Sequence, residues 1–397
     1  LSTHTKNNSK VLFLMMELLW KTHKRVHVIR IAFALLLVVL SSERVESRKA
    51  KVVTTSLEYN AINCRAHSAS LTDFGGVGDG KTSNTKAFQS AISRLSQYAS
   101  EGGSQLYVPA GKWLTGSFNL TSHFTLYLDK GAVLLASQDI TEWPVLEPLP
   151  SYGRGRDAPA GRFTSLIFGT NLTDVIVTGE NGTIDGQGEF WWQQFHSKKL
   201  KYTRPYLIEL MFSENIQISN LTLLNSPSWN VHPVYSSNII VQGITIFAPV
   251  KSPNTDGINP DSCTNVRIED CYIVSGDDCV AVKSGWDEYG IKFGRPTKDV
   301  VAENVTIAAR FQGISNDPFT GICIANVTLG MAAKAKKQPW TCTDIEGITS
   351  GVTPPPCGLL PDQGPEKIKA CDFPADSLPI DMLELKKCTY SMTYVVM

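Results

Sequence analysis

Residues 215–223 read NIQISNLTL, and the same shape returns as NIIVQGITI from Asn238, NVRIEDCYI from Asn265, DVVAENVTI from Asp299 and GICIANVTL from Gly321. The starts lie 23, 27, 34 and 22 residues apart. Each unit joins two short alternating apolar segments through a polar or glycine turn, a pattern that buries its inward face only by stacking on the next copy. The expected fold is all-β, a right-handed parallel β-helix. Residues 124–136 and 174–188 extend the rhythm upstream. Asn215, Asn238 and Asn265, at equivalent turns, are expected to ladder through their amides. A helix opened by Asn84 or Thr85, with Phe88, Ala91, Ile92 and Leu95 on one face, is expected to cap the open end of the stack.

The 397 residues are 42% hydrophobic and 19% charged, enough for one large domain. Lys21, Lys24, Arg25 and Arg30 precede an apolar run over residues 31–40, the order of a secretory signal. The expected division is an upstream segment plus signal over 1–42, an extension over 43–70, and the solenoid with its cysteine-containing end over 71–397. Ten apolar residues are short for a bilayer, so no stable membrane association is expected. Without residues 1–42 the net charge is −5, which argues against nucleic acid as a partner. Nine cysteines in an exported chain permit disulfides and leave at least one thiol unpaired. Sequons stand at Asn119, Asn171, Asn181, Asn220, Asn304 and Asn326. No oligomerisation signal stands out, so a monomer is expected.

Two acidic motifs interrupt the repeat. Residues 252–263 read SPNTDGINPDSC and residues 274–285 read VSGDDCVAVKSG. Asp277 lies twenty-one residues after Asp256, close to one repeat, which brings Asp256, Asp277 and Asp278 onto neighbouring coils. Three converging carboxylates suit acid/base work or a metal site; the structural alternative is that Asp simply serves turns here. Like charges held close oppose joint ionisation, which would keep one of them protonated. Asn254, Lys283 and His232 complete the set as candidate substrate-binding residues. Trp191, Trp192 and Trp229 either line a sugar groove or, as buried aromatics usually do, pack the interior.

NTDG followed one turn later by GDDC resembles the polygalacturonase family of glycoside hydrolases, in particular its plant branch. The likeness also runs through residues 71–88 (LTDFGGVGDGKTSNTKAF), 225–234 (NSPSWNVHPV) and 350–357 (SGVTPPPC). It implies hydrolysis of the α-1,4-galacturonosyl linkages of pectin with inversion at the anomeric carbon, outside the cell and without a cofactor or metal. It also implies that Asp277 is the general acid, while Asp256 and Asp278 hold and deprotonate the attacking water.

The chain departs from that family in two places. The glycine-flanked histidine and the RIK segment that follow GDD in relatives are missing, and GIKFGRPTK (290–298) runs directly into DVVAENVTIAARF (299–311). Several coils are therefore expected to be lost between Lys298 and Asp299, leaving the aspartates without the cations that orient a galacturonate. Turnover is expected to be strongly impaired. The competing readings are a non-catalytic pectin-binding wall protein and a calcium-dependent pectate lyase, whose chemistry shares the fold class.

Overall fold

The computed structural model describes residues 51–153, 161–303, 309–313, 315–316, 318–325, 340–363, 380 and 382–396. The leader, Asn304, Asn326 and Cys371 lie outside the described residues. Parallel strands stack in chain order into a ten-stranded sheet, a seven-stranded sheet, and a third face made of a four-stranded and a three-stranded sheet. Isolated bridges from Val231 to Ile258 and from Ile258 to Val280 span the interval between the two parts of that third face. Strands that neighbour only their sequence predecessors and successors make a solenoid, here a parallel β-helix.

The first halves of all five repeats, and the second halves of the first three, fall where the sequence placed them; the second halves of the last two lie outside the described residues. Their first halves are the strands Glu214–Ser219, Ser237–Gln242, Thr264–Glu269, Lys298–Glu303 and Phe319–Ala325 of the long sheet. Register sets Val175, Ile216, Ile239, Val266, Val300 and Ile322 in one buried column. Period-two alternation sends these residues inward and their neighbours out. Lys298–Glu303 pairs in register with Thr264–Glu269, so the chain crosses the point of expected coil loss inside one continuous strand pair.

At the corner where the chain enters the long sheet, the second residue of successive strands, Asp174, Asn215, Asn238, Asn265 and Asp299, takes φ between 56° and 59°. Asn and Asp tolerate this left-handed conformation better than other side chains because their short polar groups bond locally. Asn238 donates to Asn215 Oδ1 at 3.2 Å and Asn265 donates to Asn238 Oδ1 at 3.0 Å, which is the expected ladder.

The helix Thr85–Leu95 buries Ala87, Phe88, Ala91, Ile92 and Leu95, and Phe88 stacks on Phe118. Asn84 takes the N-cap position, where its side chain bonds Val77 N rather than a helix amide. The solenoid begins before the expected boundary at Leu71, since His67–Ser70 is the first strand of the long sheet. The described part of the extension, from Lys51, is tied to the far end of the chain. Lys51–Ala61 pairs with Lys386–Val396, a disulfide ties Cys64 to Cys388, and the ribbon packs Tyr59 and Tyr394 on the outward Tyr107 and Tyr127 of the long sheet. A second disulfide joins Cys342 to Cys357, while Cys263, Cys271 and Cys279 are free and buried.

The ladder generates a stability prediction. Asn238→Gly keeps the left-handed corner and loses only the amide links, so urea unfolding should show a loss of about 1–2 kcal/mol. Asn238→Val adds a β-branched side chain at positive φ and should cost about 2–4 kcal/mol.

Candidate active site

Two loops enter the third face one coil apart, residues 248–257 ahead of the bridge at Ile258 and residues 275–279 ahead of Val280–Val282. They pack backbone against backbone. Gly257 N donates to Asp278 O at 2.9 Å, and Gly276 N donates to Thr255 Oγ1 at 2.8 Å. A Cβ on Gly257 would stand 2.3 Å from Cys279 O, and one on Gly276 would stand 1.9 Å from Ser252 O. The glycines of NTDG and GDDC are thus required by the approach that brings the aspartates together.

Asp256 is buried, with Oδ2 3.3 Å from Lys283 Nζ, and that ammonium sits 4.7 Å over the ring of Trp229. Asp277 is exposed; its Oδ2 accepts from Asn254 Nδ2 at 3.4 Å and its Oδ1 from Asp278 N at 3.0 Å. Asp278 is half-buried. The Cys279 thiol lies within the fields of all three carboxylates: burial first, then those charges, push it up to about 12, so it stays a neutral thiol at ordinary pH. One reachable carboxyl beside one buried, cation-paired carboxylate can supply two unlike proton-handling groups.

The amide of Asn254 is engaged on both sides, since Oδ1 accepts from Arg204 Nη2 at 2.7 Å. Arg204 also donates to the carbonyls of Pro227 and Pro253 and stacks over Phe195. Lys283, read from the sequence as a ligand for a uronate, is committed here to Asp256 and Trp229.

His232 has to be corrected as a substrate-binding residue. It is fully buried, its Nδ1 lies 2.9 Å from Glu209 and its Nε2 lies 3.2 Å from Asp261. Arg162 pairs with Glu209 at 2.7 Å, and Tyr152 OH donates to Asp261 at 2.7 Å. Alternation from inward Val231 does turn His232 outward, but Leu149 and Tyr152 cover that face of the sheet. Trp191 and Trp229 are buried as packing residues, and Trp192 donates to Ser226 O.

Sequence reasoning missed Arg204, Glu209, Asp261 and Arg162. The signal for Glu209 was a lone acid inside the apolar run YLIELM (206–211), and for Asp261 its place within the quoted motif, in register with Lys283. Arg204 lies outside the repeating strands, and its partners stand one and two repeats further on, in loops that the strand pattern does not describe. Among the described residues no three His, Cys, Asp or Glu side chains are grouped to hold a metal ion, and no helix is long and apolar enough to cross a membrane.

Comparison with known proteins adds an independent view. Residues 101–307 match the model of glycosyl hydrolases family 28. The chain is 60% identical to a probable polygalacturonase of Vitis vinifera, across 89% of this chain and 93% of that protein. That alignment runs over 456 residues, whereas 89% of 397 is about 353, so about 100 aligned positions face no residue of this chain. A probable polygalacturonase of Arabidopsis thaliana is 30% identical, and the chain spans 58% of its length. An exopolygalacturonase structure from Thermotoga maritima superposes with a TM-score of 0.53 at 25% identity, covering 73% of this chain and 69% of that one.

The buried histidine generates a pH prediction. Burial opposes its charge, but the hydrogen bonds to Asp261 and Glu209 prevail and raise it above the ordinary histidine range. Burial likewise opposes ionisation of Glu209, and Arg162 and His232 prevail in holding it below its usual range. His232 therefore contributes stability that is fully present below the ordinary histidine value and is lost as pH rises through the raised folded value. Urea midpoints measured upward from the ordinary histidine value of about 6.5 should fall as pH rises. In His232→Leu the fall should flatten, with a cost of about 3–5 kcal/mol at the low end because Glu209 and Asp261 lose their shared cation.

Proposed function

The chain belongs to glycosyl hydrolases family 28, and from that membership and the site geometry we infer a pectin-degrading polygalacturonase acting through Asp277, Asp256 and Asp278. The observation that carries the assignment of roles is the contrast between exposed Asp277 and buried Asp256 on adjacent coils. Asp277 is the group a glycosidic oxygen can reach, and it donates the proton to the leaving sugar. Asp256, paired with Lys283, acts with Asp278 to hold a water and take its proton as that water attacks the opposite face of the anomeric carbon. The chemistry asks for no cofactor.

Export to the cell wall is the accompanying proposal. It is supported by the leader pattern and by sequons at Asn119, Asn171, Asn181 and Asn220, all of which sit on the surface.

Turnover by this chain is proposed to be weak. The aligned positions missing relative to the Vitis protein, about 100, correspond to about four coils at the spacings of the repeat. Lys298–Glu303 stacks directly on Thr264–Glu269, which supports loss of whole coils with register retained. The sequence after GDDC carries no RIK segment, and Lys283 is already paired.

Reducing-end release from polygalacturonate tests both parts. The chain as given should run about 100-fold or more below a version with the missing coils restored, since misplacing a substrate by an ångström has that scale of effect. Asp277→Asn in the restored version should abolish release. Full activity of the chain as given would refute the impairment, and an active Asp277→Asn would refute the assignment of the acid. An unsaturated product lost on chelation would favour the lyase reading instead.

A further inference from the structure

We propose that Arg204 is a positioning residue for Asp277, acting through Asn254. A guanidinium only donates hydrogen bonds, so the 2.7 Å contact from Arg204 Nη2 requires that Asn254 turn its oxygen toward Arg204. The amide nitrogen then faces Asp277 and donates to Oδ2 at 3.4 Å. Without Arg204 the Asn254 amide has two orientations of similar shape, one of which would set oxygen against the carboxyl of Asp277.

The rest of Arg204 is fixed as firmly as its contact to Asn254. Nη1 donates to the carbonyls of Pro227 at 2.7 Å, in the loop ahead of Val231–Val234, and of Pro253 at 2.8 Å, in loop 248–257, and the guanidinium lies 4.1 Å over Phe195. Arg204 is almost wholly buried, so its planar fork is set before any ligand arrives. Lysine, with a compact ammonium, can serve a loop carbonyl but cannot present the same fork to Asn254. Arg204 thus couples the spacing of two loops to the orientation of one carboxyl, a link the acidic motifs themselves do not contain.

This inference rests on the reading of Asp277 as the proton donor, but its test does not depend on turnover. The full chain, Arg204→Lys and Asn254→Ala are labelled with a carbodiimide and glycine ethyl ester across a pH series, and each aspartate is followed by mass spectrometry. Removing a donor from a carboxylate favours its protonated, carbodiimide-reactive form. In both variants the labelling of Asp277 at a given pH should therefore rise above that of the full chain. The other charges about the site, Asp278 on the same turn and Asp256 with its partner Lys283 on neighbouring segments, are unchanged. Thermal melts establish that each variant is folded. A folded Arg204→Lys with an unmoved Asp277 profile would make Arg204 a loop clamp only and overturn the proposal. So would an unmoved profile in Asn254→Ala, which leaves the Arg204 bonds to the proline carbonyls in place. A shift in both variants with no loss of release in Asp277→Asn of the restored protein would sustain the relay and remove the catalytic role.

Discussion

Register between coils is the constraint on which everything else depends. Each strand satisfies its backbone groups on the strand before and the strand after, so a residue's environment is set by its offset within the repeat. The left-handed corner at Asp174, Asn215, Asn238, Asn265 and Asp299 is where that offset is fixed. A side chain that tolerates positive φ turns the chain at the same point in every coil, and the amide ladder joins three of these turns directly. A slip of one residue would drive the inward column of Val175, Ile216, Ile239 and Val266 to the outside.

The site is built from that same stacking. Loops 248–257 and 275–279 meet because Ile258 and Val280 are bridged, and glycine at positions 257 and 276 lets their backbones touch. The carboxylates then differ by depth. Asp256 lies beneath the surface with Lys283, and Asp277 stands in solvent with an amide behind it. On the outward face of the same sheet, Arg162, Glu209, His232 and Asp261 alternate in sign and pair with one another in a buried row. Such a chain of charges is tolerable only when complete, since each member compensates the desolvation of the next.

Folding and catalysis are separable in a solenoid of this kind. A coil contacts chiefly its two neighbours, so a stack of this kind can close over a loss of whole coils provided register holds, as it does between Lys298–Glu303 and Thr264–Glu269. Catalysis has no such tolerance, because it needs particular side chains from particular coils in one groove. The ribbon of Lys51–Ala61 and Lys386–Val396 adds a further tie, with Cys64 and Cys388 joining two ends that are 324 residues apart in sequence.

The solenoid, the inward faces of its strands, the capping helix, the asparagine ladder and the meeting of the NTDG and GDDC loops were legible in the sequence. All of these follow from periodicity or from offsets of about one repeat, which are local quantities. The pairing of the extension with the far end of the chain, the burial of His232 and the hold of Arg204 on Asn254 were not. Cys64 with Cys388 and Tyr152 with Asp261 join segments whose separation in sequence bears no relation to the repeat, while Arg204 and Asn254 lie 50 residues apart, about two repeats, but on loops outside the strands that carry the pattern. Periodicity states which side chains leave the solenoid on a given face. What then covers that face is decided by loops that obey no period, and only their packing determines whether an outward histidine meets solvent or a pair of buried carboxylates.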